Sequence, residues 1–146
     1  AHGVGRDRLE LRGPVVDRHA HLIQYRDEVD IALDPASYNG TTTTCEALWM
    51  GVPVVTLVGP AHRQRVSYSI LKNIGIEDTV AYTEEQYVSI AAGLARDLDV
   101  LARLRERVAA AVRASILCDP PRFTRQFEDA LRSALDNRRA EAVPGP

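Results

Sequence analysis

Short apolar runs alternate with amphipathic stretches along the first part of this chain. Runs that read as strands occupy residues 9–11, 29–33, 54–58 and 79–82. Stretches that read as helices lie between them, at residues 17–27, 43–50 and 65–74. Strands that alternate with helices predict a parallel sheet with crossover helices on its faces. The runs are continuously apolar, which is typical of strands covered on both sides. The sequence therefore predicts an α/β fold.

From Glu84 onward the pattern indicates helices only. Leucine and valine recur at helical spacing between Leu94 and Val108, and a Pro-Pro break precedes a final predicted helix at residues 123–135. Residues 1–136 are expected to form one lobe. Residues 137–146 are polar and then rich in proline and glycine, which predicts a disordered tail. A sheet of three or four strands is small, so we expect the lobe to be incomplete at its N-terminal side.

Composition excludes several classes of partner. The 146 residues carry a net charge of −2, and the pI is near 6.1, which argues against nucleic-acid binding. No apolar run approaches the ~20 residues of a membrane span. No leader is visible, so a cytoplasmic protein is expected.

Cys45 and Cys118 lie far apart in the sequence and are expected to be free thiols. No metal-ligand spacing is present, so no metal or other cofactor is expected.

The segment that carries chemistry is a glycine followed by four threonines. Gly40 and residues 41–44 come after the strand that ends near Asp34, at the start of a helix. Ligands of open α/β sheets bind at the carboxyl ends of strands. A helix start there offers unpaired N–H groups and the positive end of a dipole, which together bind phosphate. The glycine permits close approach of the backbone, and threonine hydroxyls add uncharged donors.

Helix capping is the alternative interpretation of the same segment. Thr43 and Glu46 have the spacing of a capping box, in which the glutamate reaches back to the cap residue. A capping box accounts for one threonine and one glutamate. It does not account for four threonines and a glycine. Spacing alone leaves phosphate binding and capping equally open.

Residues 39–57, NGTTTTCEALWMGVPVVTL, resemble the signature of the protein O-glycosyltransferases of the O-GlcNAc transferase and SPINDLY type, glycosyltransferase family 41. The resemblance extends over about residues 3 to 135. It implies a two-lobed enzyme of the GT-B type, with the nucleotide sugar in the cleft between Rossmann-like lobes. This chain would be the later part of the C-terminal, donor-binding lobe. The resemblance further implies a missing N-terminal lobe and TPR-type helical repeats as partners, and a protein as the acceptor.

The resemblance also assigns residues to the donor. Thr42 and Thr43 would contact the diphosphate, with Gly40 and Thr41 beside them, and Glu46 would bind the ribose hydroxyls. His21 would lie against the nucleobase, whose edge the backbone near Val15 and Val16 would read. Arg18 stands where the O-GlcNAc branch carries a lysine. His62 could approach the sugar or lie free on the surface, and Arg65 could face a phosphate or simply begin a helix. The implied donor site consists of Arg18, His21, Gly40, Thr41, Thr42, Thr43, Glu46, His62 and Arg65.

The donor itself stays open between two nucleotide sugars. Glu46 is an aspartate in the O-GlcNAc branch, whereas a threonine run followed by Cys-Glu is closer to the SPINDLY branch, whose plant member uses GDP-fucose. The expected donor is therefore of the UDP-GlcNAc or GDP-fucose type, transferred to protein serine or threonine hydroxyls without a metal. No catalytic residue is assigned, because the family's upstream lysine and acceptor-side residues would precede residue 1.

Two other functions remain as hypotheses. The chain could be a non-catalytic nucleotide-binding fragment or a partner-binding module, given the small sheet. A 2-epimerase of nucleotide sugars has a similar two-lobed build but needs a pair of acids near the sugar, and no such pair is evident.

Outside the motif, Asp34 is interpreted as a loop hydrogen-bonding residue. The arginine run of Arg103, Arg105 and Arg107 is interpreted as the solvated face of a helix.

Overall fold

The structure, a computed structural model, describes residues 3–13 and 15–141. The elements in these ranges follow one another in the order helix, strand, helix, strand, helix, strand and then three helices. They are α1 (Arg18–Glu28), β1 (Ala32–Leu33), α2 (Thr42–Trp49), β2 (Val54–Leu57), α3 (Val66–Asn73), β3 (Val80–Ala81), α4 (Glu84–Arg96), α5 (Leu98–Ala114) and α6 (Pro120–Glu141). Short 3-10 helical turns occupy Arg6–Arg8, His62–Gln64 and Ile116–Cys118.

The three strands form one parallel sheet in the order β1-β2-β3. Ala32 pairs with Val54, and Thr56 pairs with Val80. The central strand β2 is buried along almost its whole length, because helices cover the sheet. The predicted α/β fold with a parallel sheet is thereby confirmed.

The core lies where α2, α3 and α5 meet the sheet. Leu48, Leu71 and Val108 contribute one fully buried side chain from each helix, and Val55 contributes one from β2. Leu101, Leu104, Val108 and Val112 form the buried stripe of α5, as the helical spacing predicts. This stripe fixes α5 against the back of α2.

The strand predicted at residues 9–11 is wrong. These residues form no strand, and Leu11 is 97% exposed. A strand requires a partner that takes up its backbone N–H and C=O groups, and no described strand lies beside this segment. The strand predicted at residues 29–33 is shorter than expected and is limited to Ala32–Leu33, where β2 supplies the partner.

The final helix is longer than the sequence indicates. It begins at Pro120, because proline is favoured in the first helical turn and Asp119 Oδ1 accepts a hydrogen bond from the N–H of Arg122. Residues 137–141, which the sequence assigns to a disordered tail, instead continue α6. Ion pairs one turn apart, such as Arg139 with Asp136, favour this continuation. Residues 142–146 of the predicted tail lie outside the described residues.

A buried carboxylate joins the first two strands to the loop that precedes α2. Asp34 follows β1 and is 5% exposed. Its Oδ1 accepts a hydrogen bond from the N–H of Gly40 at 2.8 Å, and its Oδ2 accepts one from Oγ1 of Thr56 at 2.7 Å. The Tyr87 hydroxyl, on α4, donates to the Asp34 carbonyl at 3.1 Å. The interpretation of Asp34 as a loop hydrogen-bonding residue is confirmed.

A second polar contact holds the start of α2 to α3. The buried Ser67 hydroxyl donates to the Gly40 carbonyl at 3.2 Å, so the Thr44 hydroxyl, 3.0 Å away, donates to Ser67. A side chain at position 40 is excluded, because its Cβ would lie 2.6 Å from Oγ1 of both Thr43 and Thr44. The backbone at Gly40 is therefore packed closely against the first turn of α2.

Truncation of Leu48 is expected to destabilise the fold strongly. Leu48 is 1% exposed at the centre of the core, so Leu48→Ala should lower the free energy of unfolding by about 2–5 kcal/mol through lost burial and a cavity. Urea unfolding monitored by circular dichroism measures this loss. The matched variant Val88→Ala, at a position 63% exposed on α4, should change stability by less than about 0.5 kcal/mol. Equal losses would contradict the assigned core.

Removal of the Thr56 hydroxyl is expected to cost stability although the side chain keeps its shape. Thr56→Val leaves Asp34 Oδ2 buried without a donor, which should lower the free energy of unfolding by about 1–3 kcal/mol. Thr79 provides a matched control in the neighbouring loop, because its buried Oγ1 has no hydrogen-bond partner among the described residues. Thr79→Val should therefore be neutral or stabilising in the same urea experiment. A stability loss of the same size in both variants would refute the role of the Asp34 contact.

Candidate functional site

A cavity of about 620 Å³ opens at the carboxyl end of β1, beside the start of α2. The Asp34 loop and the four threonines form most of its polar wall. The complete lining is Tyr25, Ala32, Leu33, Asp34, Pro35, Tyr38, Asn39, Gly40, Thr41, Thr42, Thr43, Thr44, Ala47 and Val54. Parallel α/β sheets bind ligands at this edge. The cavity therefore lies where the sequence predicts the donor.

The first turn of α2 exposes its backbone donors to this cavity. Thr41 is the N-cap, and its side chain makes no capping hydrogen bond. The first helical bond runs from the Cys45 N–H to the Thr41 carbonyl at 3.0 Å. Among the described hydrogen bonds, none uses the N–H of Thr42 or Thr43 as donor. These two groups and the positive end of the helix dipole are available to an anion.

The capping-box interpretation of Thr43 and Glu46 is wrong. The helix begins one residue before Thr43, so Thr43 is a helical residue rather than the cap. Glu46 points away from the helix start and toward α1, where it meets Arg18 and His21. The Glu46 carboxylate therefore faces Arg18 and His21 instead of the cap residue.

The four threonines have two different roles. Thr41, Thr42 and Thr43 are exposed at the cavity, whereas Thr44 is buried and hydrogen-bonded to Ser67. Helical geometry causes the difference, because successive residues point about 100° apart and only one of the four faces the core. Sequence reasoning treated the run as a unit and therefore missed the structural role of Thr44.

Glu46 does not line the 620 Å³ cavity; together with Arg18 it lines a second cavity, which shares Thr42 with the first. The Glu46 side chain is 14% exposed, with Oε1 3.6 Å from Nη2 of Arg18 and Oε2 3.6 Å from Nε2 of His21. The Arg18 guanidinium attracts the carboxylate at this distance, but both distances are too long for hydrogen bonds. The carboxylate oxygens therefore keep their capacity to accept hydrogen bonds from a ligand. His21 also contacts the Tyr25 ring edge-on, with the ring centroids 5.1 Å apart.

The pKa values of two neighbouring groups are raised by burial and by the Glu46 carboxylate. Burial raises the pKa of the Tyr25 hydroxyl, and the Glu46 carboxylate raises it further. Burial likewise raises the pKa of the Cys45 thiol, with Glu46 and Cys118 acting in the same direction. Cys45 and Cys118 are free, as predicted, and both line the second cavity, which has a volume of about 390 Å³ and also borders Arg18 and Glu46.

His62 and Arg65 lie apart from this group. Both are exposed, His62 in the 3-10 turn after β2 and Arg65 at the N-cap of α3, and neither lines the first cavity or the second. Val16 is fully exposed just before α1, and Asp17 caps that helix by accepting a hydrogen bond from the His19 N–H. The structure thus brings Arg18, His21 and Glu46 together beside the threonine turn. The donor-binding roles of these three residues, of the threonine turn, and of His62, Arg65 and the backbone near Val16 all stay predictions.

Asn39 belongs to the cavity wall although the sequence analysis did not single it out. It is fully buried, its Nδ2 donates to the Pro35 carbonyl at 3.3 Å, and its N–H donates to the Arg63 carbonyl at 2.9 Å. Its position before Gly40 in a loop that follows a strand is the signal that could have identified it. These two hydrogen bonds hold the loop around the buried Asn39 side chain.

Membrane-spanning helices and metal-binding clusters are both absent from the described ranges. Within residues 3–13 and 15–141, no helix has the length and apolar character needed to cross a bilayer. In the same ranges, no group of three or more His, Cys, Asp and Glu side chains is arranged to hold a metal ion.

A solved structure has the same fold over nearly the whole chain. It is that of a mutant O-GlcNAc transferase from Thermobaculum terrenum, 43% identical, and it matches 97% of this chain with a TM-score of 0.85. The matched part is 27% of that chain. The match confirms the predicted fold class, a partial Rossmann-like lobe of a GT-B glycosyltransferase.

Curated relatives point in the same direction. The chain is 42% identical over 131 residues to a Solanum lycopersicum protein named probable UDP-N-acetylglucosamine–peptide N-acetylglucosaminyltransferase SPINDLY, covering 90% of this chain and 14% of that protein. It is 39% identical over 102 residues to the UDP-N-acetylglucosamine–peptide N-acetylglucosaminyltransferase of Caenorhabditis elegans, covering 70% of this chain and 9% of that protein. The chain therefore spans only a small part of the length of these relatives.

A family model extends the agreement along the chain. The model described as Glycosyl transferase family 41 matches residues 2–127. The matched residues include the threonine turn, α1 and the Glu46 cluster. The epimerase hypothesis has no support in these matches. The chain belongs to glycosyl transferase family 41.

Proposed function

We propose that this chain is the donor-binding part of a protein O-glycosyltransferase, which holds a nucleotide sugar of the UDP-GlcNAc or GDP-fucose type. The observation that carries the proposal is the Glu46 carboxylate, held between Arg18 and His21 without a hydrogen bond to either. It lies one turn after the free N–H groups of Thr42 and Thr43. The spacing suits a nucleoside diphosphate, whose ribose follows directly on its phosphates.

The diphosphate is assigned to the first turn of α2. The N–H groups of Thr42 and Thr43 and the helix dipole attract its negative charge, and the exposed threonine hydroxyls supply further donors. Gly40 leaves room for close approach, because no side chain extends over the turn. Arg18, exposed and 3.6 Å from Glu46, adds a positive charge beside this turn.

The nucleoside is assigned to the groove between α1 and α2. A carboxylate accepts hydrogen bonds from two neighbouring hydroxyls, so the Glu46 oxygens suit the 2′ and 3′ hydroxyls of ribose. His21, half-buried against Tyr25, offers a ring face or edge to the base. Because His21 and Glu46 are adjacent, base and ribose can be bound together.

The chemical contribution of this chain is to stabilise the leaving group. Transfer to a serine or threonine hydroxyl breaks the bond between the anomeric carbon and the diphosphate, which departs with additional negative charge. Preorganised N–H donors at a helix start stabilise such a charge as it develops, without reorganisation. We assign no base to this chain. We assign the N-terminal lobe and the helical repeats to other parts of the longer enzyme. The acceptor protein would bind to those parts.

A binding role without catalysis is the second candidate function. It is favoured by the small share of the solved relative that this chain represents, 27%. A transfer assay of this chain alone, with labelled donor and peptide acceptor, distinguishes the two. Turnover by the isolated chain would exclude the purely binding role.

Glu46→Gln is expected to weaken nucleotide binding by roughly tenfold or more, because hydrogen bonds to a charged acceptor contribute about 1.5–3 kcal/mol. Calorimetric titration of wild type and variant with UDP and with GDP measures the change and identifies the preferred base. Glu128→Gln, an exposed glutamate on α6, is the matched control and should bind as wild type does. Absence of binding to both nucleotides by a folded wild type would refute the proposal.

Thr43→Val is expected to weaken binding of UDP or GDP by about fivefold, which is the contribution of one hydroxyl hydrogen bond of about 1 kcal/mol. The substitution keeps the β-branched shape and the helix start, so the backbone donors remain. Thr124→Val, at an exposed position on α6, is the control for the loss of a hydroxyl elsewhere. If Thr43→Val binds as tightly as wild type, the diphosphate does not use this hydroxyl.

A further inference from the structure

We propose that Arg105 is a positioning residue for the donor site. It holds α1, which carries Arg18 and His21, in place against α2, which carries Glu46. Arg105 itself lies on α5 and lines neither cavity at the site. The inference rests on the proposed function for its consequence in binding, although its structural part can be tested separately.

The contacts of Arg105 are concentrated on the carboxyl end of α1. Its Nη1 donates to the Val29 carbonyl at 2.7 Å and to the Asp30 carbonyl at 3.2 Å. Its Nη2 donates to the Arg26 carbonyl at 3.1 Å. The last carbonyls of a helix have no partners within the helix, and the dipole there is negative. One guanidinium therefore satisfies several of these acceptors and also complements the dipole.

The carboxyl end of α1 depends on this anchor because it has little other attachment. None of its residues is fully buried, and Tyr25 is only partly buried against the core. Glu28 pairs with Arg12, but that pair is exposed, and exposed ion pairs contribute little. Residues 20–25 are half-buried, whereas residues 26–28 are exposed, so the carboxyl end of α1 is held mainly by Arg105.

Arg105 is itself held firmly in the fold. Its neighbours Leu104 and Val108 are buried in the core, and its own side chain is 23% exposed. The turn after α2 packs directly on it, since a Cβ at Gly51 would lie 3.3 Å from the Arg105 carbonyl oxygen. One residue of α5 thus touches both the end of α2 and the end of α1. It determines how far apart the two helices lie.

The prediction that Arg105 belongs to a solvated arginine run is wrong. Arg103 and Arg107 are exposed as expected, whereas Arg105 turns inward to three backbone carbonyls. Helical rotation separates Arg105 from its two neighbours by about 200° each, so it occupies the opposite side of α5. A planar guanidinium fork suits several acceptors at once, which an ammonium group does less well.

The test uses the full chain with Arg105→Met, which keeps the aliphatic stem but removes every donor, and with Arg105→Lys. Arg107→Met is the matched control, since Arg107 is exposed on the same helix and pairs with Asp78. Calorimetry with UDP and GDP measures affinity, and hydrogen–deuterium exchange measures protection of amides in residues 18–28. For Arg105→Met we expect roughly tenfold weaker binding, equivalent to about 1.4 kcal/mol, and faster exchange in α1 with α5 unchanged. Arg105→Lys should lie between Arg105→Met and wild type, and Arg107→Met should match wild type.

Each outcome decides one of the two hypotheses. Folded Arg105→Met with wild-type affinity, or with wild-type exchange in α1, overturns the positioning role. If wild type binds neither nucleotide, the proposed function fails, and exchange in α1 alone still decides whether Arg105 orders that helix. If Arg105→Met does not fold, Arg105→Lys replaces it, and wild-type affinity and exchange in that variant overturn the inference.

Discussion

The carboxylate of Asp34 lies buried at the end of β1, with no cation bonded to it among the described residues, and is satisfied by one backbone N–H and one hydroxyl. A buried carboxylate is tolerated only when such donors are provided, so its partners cannot move independently. The N–H belongs to Gly40 and the hydroxyl to Thr56. The start of α2 is therefore tied to the central strand of the sheet. This contact therefore positions the part of the cavity wall that α2 forms.

Polar residues at the site divide into those that build it and those that face it. Asp34, Thr44 and Ser67 are buried and use their polar atoms on each other, on Thr56 or on the backbone. Thr42 and Thr43 are exposed and keep unpaired donors. The buried residues make the exposed donors available, because a helix start can expose free N–H groups only if other contacts hold that helix in place. A rigid support of this kind is what preorganised binding requires.

Much of the fold was predictable from the sequence, and the errors have a common cause. The order of helices and strands, the parallel sheet and the stripe of α5 follow from local periodicity, which persists in the structure. The wrong strand at residues 9–11 and the shortened strand at residues 29–33 concern segments whose pairing depends on distant partners. The extended α6 depends on side-chain ion pairs near its end, which apolar periodicity does not detect.

The sequence by itself determined the segment that carries the chemistry, because the glycine, the threonine run and Glu46 are contiguous and their helical placement follows from spacing. It also indicated His21 and Arg18 through resemblance. Only the tertiary structure decided which threonine is buried, that Glu46 faces α1 instead of capping α2, and that Arg105 turns inward. These outcomes depend on which helix packs against which. Such packing joins residues as far apart as Arg26 and Arg105, beyond the reach of any local pattern.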